Sequence, residues 1–177
     1  MARIAPLDPD NLSPEQQPVY EAIRSGPRGE VVGPLAVWLN RPALADKAQQ
    51  LGQYCRYDSS LEPRLSELAI LVTARVWDAT FEWQSHEPPA RAAGLADSII
   101  ESLRRDEEPL FEIADEAVVY EVSQVLNRER GISQELYNRA ETLLGKDGLV
   151  DLIGVLGYYA LISMTIKAFD VDPIAGA

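Results

Sequence analysis

Apolar positions recur at helical spacing through most of the chain from Pro34 onward. Between 42 and 57, Leu44, Ala48, Leu51 and Cys55 fall three or four residues apart, the stripe of an amphipathic helix. The segment 63–76 is denser. Leu65, Leu68, Ala69, Leu71, Val72 and Val76 leave it apolar on most sides, which predicts a buried helix. A turn signal follows at 77–80, where Asp78 or Thr80 is suited to cap the next helix. That helix is expected to stop at Gly94-Leu95, a glycine followed by the hydrophobe of a Schellman motif. Ser98 and Glu101 have the spacing of a capping box. An acidic helix over 111–128 stops at Gly131-Ile132, Ser133 opens another that runs to Gly145, and the most apolar helix covers 148–169 with Pro173 past its end. No segment alternates as a strand with hairpin turns. The pattern predicts an all-α fold of seven or eight helices with no repeat of fixed period.

The first 34 residues break this pattern, holding six of the twelve prolines. Proline lacks an N–H and fixes φ, so this stretch cannot be one long helix. It has room for a short one, because Ser13 can cap, Pro14 suits the first helical position and Gln16 completes a capping box. The expected organisation is a Pro-rich arm over 1–33, draped over the rest or left as a loose tail, followed by a helical domain over 34–177. The last helix is hydrophobic on more than one face, from Leu152 and Ile153 to Met164 and Ile166. A chain of 177 residues wraps a fully buried 20-residue helix poorly. We expect this helix to serve both as core and as a contact with another subunit.

Composition narrows the partners. Sixteen basic residues against 28 acidic give a net charge of −12, and no Lys/Arg run occurs. Nucleic acid and anionic membranes, which demand a basic face, are therefore not expected as partners. The longest uncharged stretch, 152–166, is short of the roughly 20 residues of a membrane span. One cysteine, Cys55, allows neither an intrachain disulfide nor a CxxC pair nor a cysteine zinc site. The chain begins without an apolar leader, and a cytoplasmic setting is the expectation.

Three residues could carry chemistry. His86 is the single histidine, and it follows Glu82 by four, so the two share a helix face. Glu67 lies in the otherwise apolar 63–76 segment. On one straight helix Glu67 and Glu82 would stand roughly 22 Å apart, so they form one site only if the chain reverses at 77–80. A histidine can shuttle a proton near neutral pH, a carboxylate can fix its tautomer, and a second buried carboxylate can serve as an acid. The plainer reading of Glu82 and His86 is a solvated pair on a helix surface. Arg75, about 80° round the helix from Glu67, is a candidate clamp for a substrate carboxylate or an internal ion-pair partner of Glu67 or Glu82. Trp77, Phe81 and Trp83 could wall a pocket or simply fill the core. His86, Glu67 and Glu82 could ligate iron or manganese, but a di-iron bundle wants two Glu-x-x-His motifs and this chain has none. No metal and no cofactor are expected. Cys55, flanked by Tyr54 and Tyr57, reads as packing.

The run Glu67-Leu-Ala-Ile-Leu-Val-Thr-Ala-Arg75, followed by Phe81-Glu82-Trp83-Gln84-Ser85-His86-Glu87-Pro88 and Ala93-Gly94-Leu95, resembles the carboxymuconolactone decarboxylase family of the alkylhydroperoxidase D-like (AhpD-like) superfamily. Gly157-Tyr158-Tyr159, Phe169-Asp170-Val171 and the Pro-rich arm are similar to its long-chain members, so the resemblance covers about residues 34–172. It implies an AhpD-like helical bundle. Peroxidase members carry a glutamate that falls on Glu67 and two cysteines that fall on Ala79 and Glu82, so the resemblance implies that disulfide-cycling peroxidase chemistry is absent here. The decarboxylase branch carries the Glu-x-x-x-His that Glu82 and His86 match, and Glu67 is a departure from that branch.

The resemblance further implies a cofactor-independent lyase acting on a small organic acid or lactone. His86 would be the proton donor, Glu82 would orient it, Glu67 would be a second acid/base, and Arg75 with Trp83 would contact the substrate. Homo-oligomers (dimers, trimers or hexamers) are usual in the family. The alternatives are a non-catalytic scaffold or ligand-binding protein of the same fold, in which these residues form a buried polar network, and a peroxidase-related activity using Cys55 alone.

Overall fold

A computed structural model describes residues 2–5 and 7–174. Among them the regular structure is helical throughout: a 3₁₀ turn at Pro9–Asn11, then α1 (Gln16–Ser25), α2 (Gly33–Trp38), α3 (Pro42–Gln53), α4 (Pro63–Val76), α5 (Thr80–Ala92), α6 (Asp97–Arg104), α7 (Ala114–Glu129) and α8 (Gln134–Phe169). The all-α expectation holds.

The core forms around α4. Every residue from Leu65 to Ala74 is buried, and the helix packs against α5, α7 and α8. Fully burying each of its leucine and isoleucine side chains contributes about 1.5–3 kcal/mol, which is why so apolar a helix lies at the centre. Arg64, at its exposed start, bridges to Asp115 and Glu116 of α7. α8 breaks at Gly145, whose φ of 71° and ψ of 174° are non-helical, so its two arms are the two helices expected over 133–145 and 148–169. The second arm is apolar and long enough to cross a membrane by length and composition, but most of its apolar window is buried inside the protein.

The helix stops follow partly different chemistry from that expected. Gly94 has φ +90° and Leu95 N–H bonds Ala90 O, the Schellman closure the sequence predicts. Ser133 caps α8 by accepting from Leu136 N–H. At the end of α7, however, Arg130 and not Gly131 takes the left-handed conformation. The Ser98 capping box does not form, because α6 already starts at Asp97 and Ser98 lies within it.

The stripe expected on 42–57 is turned. Leu44 and Leu51 are exposed, while Ala45, Ala48, Gln49 and Gly52 face inward. The small residues face inward because Tyr158 of α8 and Arg28 crowd the α3 backbone: a Cβ at Gly52 would overlap Tyr158 Oη and Arg28 Nη2. After Gln53 the helix widens into a π turn, Tyr54–Asp58. Asp151 of α8 holds that segment, accepting from Tyr54 Oη at 2.7 Å and from Ser60 N and Oγ at 2.6 Å each.

The Pro-rich segment lies against the helical body. Ser13 and Gln16 make the expected reciprocal cap, at 3.2 and 2.9 Å. Ile23 is buried, Gln16 Nε2 donates to Leu39 O, and Arg3 N donates to Phe169 O at the end of α8.

Candidate active site

The site depends on the reversal between α4 and α5. Trp77 closes α4, Asp78 takes the left-handed conformation at φ +50°, and Ala79 N–H reaches back to Ala74 O at 2.8 Å. This is a Schellman closure made without glycine, tolerated because a short Asp side chain accepts that conformation better than most. Asp78 therefore ends α4, and neither it nor Thr80 caps α5, which starts from Ala79 without a side-chain cap. Lys167 Nζ of α8 binds both Asp78 O and Asp78 Oδ2, at 3.0 and 3.1 Å.

With the chain reversed, Glu67, Glu82 and His86 converge. His86 Nδ1 is hydrogen-bonded to Glu67 Oε2 at 2.7 Å, and His86 Nε2 stands 2.9 Å from Glu82 Oε1. All three are buried, His86 at 2% exposure. A ring lone pair and a carboxylate oxygen repel at such distances, so one proton sits in each contact. The unit thus carries two protons and a net charge of −1, whichever heavy atoms hold them. Burial opposes a charged imidazole, but the bonds and charges of Glu67 and Glu82 outweigh it, and the His86 pKa is raised above its ordinary 6.5. Tyr159 meets the imidazole edge-on, with centroids 5.0 Å apart, and fixes the ring plane.

His86 and Glu82 line a cavity of about 390 Å³, while Glu67 stands behind them, outside its lining. Glu82 Oε2 has no hydrogen-bond partner among the described residues, which makes this carboxylate the acid–base group a ligand would meet. The cavity is completed by Tyr158, Tyr159 and Ile162 of α8, by Phe81, by Arg28 and Glu30 from the loop after α1, and by Arg56 from the π turn. Tyr158 accepts from Arg28 Nη2 at 3.3 Å, and burial first of all pushes its phenol up to about 12, so it stays protonated at neutral pH.

Arg75 and Trp83 are not part of this cavity. Arg75 Nε lies 3.8 Å from Asp106 Oδ1, and Arg75 and Trp83 line a separate depression with Asp78, Thr80 and Arg104. Azimuth alone suggested that Arg75 was near Glu67. Eight residues along a helix are also about 12 Å of rise, which carries it past the site. Trp83 Nε1 donates to Glu87 at 2.8 Å and its ring stacks under Arg104, which turn the indole away. Arg28 and Arg56 were not singled out from sequence. The signals available were an arginine in a Gly-Pro-Arg-Gly turn and one between two tyrosines. Neither carries a recognisable spacing.

Cys55 is buried, and burial first, then Asp151, pushes its thiol up to about 11. It does not line the cavity, so nothing in the geometry supports a peroxidase route through it. Among the described residues no group of three or more His, Cys, Asp or Glu side chains is arranged to hold a metal ion.

No protein-family model and no curated protein matches the chain. Solved structures do. A peroxidase-related protein from Silicibacter sp. TM1040 superposes with a TM-score of 0.78 at 16% identity, over 98% of this chain and 92% of that one. A protein of unknown function from Agrobacterium tumefaciens, proposed as the antioxidant-defence protein AhpD, gives 0.70 at 15% identity over 78% and 96%. The debrominase Bmp8, crystallised with 2,3,4-tribromopyrrole, gives 0.78 at 11% identity over 99% and 95%. At these identities the likeness establishes the fold: an AhpD-like helical bundle.

Proposed function

We propose that this chain is a cofactor-independent lyase or proton-transfer enzyme acting on a small organic acid or lactone, in the manner of the carboxymuconolactone decarboxylases. The observation that carries the reading is a buried histidine held between two carboxylates, one of which faces a cavity of ligand size. In an unsaturated lactone acid the bond to the departing carboxylate breaks, CO₂ leaves, and the electron pair moves onto the lactone carbonyl as a dienolate. The dienolate is then protonated at a distant carbon. Solvent first protonates Glu82 on its free oxygen; that proton goes to the dienolate while His86 passes its Nε2 proton to Oε1, which leaves the unit its two protons, and Glu67 steadies the imidazole. Glu82 is thus the group that touches the substrate and His86 its reservoir, a reversal of the roles the resemblance implies.

The test is a screen of unsaturated lactone acids and β-keto acids for CO₂ release and for solvent deuterium in the product. Turnover should fall about 10²–10⁴-fold in both Glu82→Gln and His86→Gln with the fold intact. Turnover that survives Glu82→Gln would overturn the reading. A second reading, a ligand-binding scaffold, draws on the full engagement of both ring nitrogens. It predicts ligand binding with no deuterium incorporation from any substrate. The proposal also includes a cytoplasmic setting and self-association. Val150, Ile153, Gly157, Leu161 and Met164 form an exposed stripe along α8 at three- and four-residue spacing, suited to a second copy of the chain. Light scattering of the purified protein tests this, and a monomer at micromolar concentration would refute it.

A further inference from the structure

The acid–base unit does not explain why a chain of net charge −12 lines the same cavity with two arginines that have no carboxylate partner among the described residues, Arg28 and Arg56, the second of which stacks over the Tyr57 ring. Arg28 and Arg56 come from different elements, the loop after α1 and the π turn after α3. Neither has a carboxylate within ion-pair distance among the described residues, whereas Arg64, Arg91 and Arg139 all find one. Arg28 is half-buried, and its Nε is enclosed without an acceptor. Its Nη2 meets Tyr158 Oη, and the bare backbone of Gly52 is what lets both groups sit so close to α3. Tyr158 accepts from Arg28 and keeps its own O–H to donate. The three groups therefore present donors and no acceptor of comparable strength, beside a unit that is itself negative.

The geometry points to Arg28 and Arg56, with Tyr158 Oη, as the clamp that binds the carboxylate of the substrate and sets its reacting carbon against Glu82. The inference rests on the reading of this cavity as a substrate site and deepens it. Donors in a planar fork match a carboxylate, and the pairing is charge-assisted. A carboxylate held this way is stabilised as the anion, so it serves as a handle, with the proton moving elsewhere on the molecule. The clamp also gives the Pro-rich segment a role, because Arg28 belongs to it.

The experiment measures binding of benzoate and of its neutral isostere benzamide by saturation-transfer NMR at pH 7, without any need for turnover. Benzoate should bind the wild-type protein at least ten-fold more tightly than benzamide. Arg28→Gln and Arg56→Gln should each weaken benzoate at least ten-fold and leave benzamide unchanged, while Arg28→Lys should retain part of the affinity. Glu82→Gln should bind benzoate at least as well as wild type, since it removes a negative charge. Equal binding of the two probes, or benzoate binding unchanged in both glutamine variants, would overturn the clamp and leave the acid–base reading standing. Loss of benzoate in the arginine variants, together with no catalysis of any kind, would uphold the clamp and refute the enzyme. Circular dichroism confirms the fold of each variant, and Arg56→Gln serves if Arg28→Gln does not fold.

Discussion

Replacing Glu67 by Gln tests whether the two carboxylates hold a proton on His86. The change keeps the side-chain shape and removes one charge from a contact 2.7 Å long between groups that are almost fully buried. A hydrogen bond to a charged group contributes about 1.5–3 kcal/mol and a neutral one about 1, so the substitution should cost about 1–2 kcal/mol. Removing the unit's net negative charge relieves some desolvation and moves the result toward the low end. For a chain this size the loss corresponds to a Tm lower by about 2–8 °C. The pH dependence has a definite sign. His86 has a raised folded pKa, so its stabilisation is fully present below 6.5 and is lost as pH rises through the folded value. The gap between wild type and Glu67→Gln should therefore be widest between about pH 5 and 6.5 and shrink above the folded pKa of His86. His86 is the only histidine, so its Cε1 proton gives one unambiguous NMR titration. Its midpoint should lie above 6.5 in wild type and fall in the variant. A wild-type midpoint at or below 6.5, or one that Glu67→Gln leaves in place, would refute the reasoning.

Further consequences are equally direct. Gly52→Ala places a methyl group on Tyr158 Oη and Arg28 Nη2, and should cost about 1–3 kcal/mol in a denaturant melt while weakening benzoate. Asp151→Ala frees the π turn by removing its bonds to Tyr54 and Ser60, and should cost about 2–3 kcal/mol in the same assay. Burial raises the Asp151 pKa but its donors outweigh that and lower it, so its stabilisation is present above 3.8 and should fade as pH drops through the folded value. Cys55 should resist a disulfide reagent at pH 8 until the protein unfolds, and labelling of native protein within minutes would contradict its burial.

Much of the fold was legible because α4 and α8 declare themselves by helical period, and Gly94 and Ser133 by local capping chemistry. The convergence of Glu67 with His86 was legible only as a condition. The reversal at Asp78 uses a residue that in sequence looks like a cap for the next helix. The face of α3 was not legible, since what turns Leu44 and Leu51 outward is the approach of Tyr158 and Arg28, more than a hundred residues away and in the Pro-rich segment respectively. The same holds for the cationic side of the cavity. Arg28 and Arg56 are distant along the chain and near in space, and periodicity registers only what one helix does to its own faces. Arg75 illustrates the converse error, in which a favourable azimuth conceals a displacement along the axis.

The anchoring of Asp78 by Lys167 joins the outside of the molecule to its interior. Lys167 is half exposed, and ion pairs of that kind contribute at most about 1 kcal/mol and weaken with added salt. Yet this one fastens the corner that decides how two helices meet, and so how tightly an imidazole deep inside is gripped. Ionic strength, or acetylation of a single lysine, acquires a handle on the basicity of an imidazole that is itself almost wholly buried.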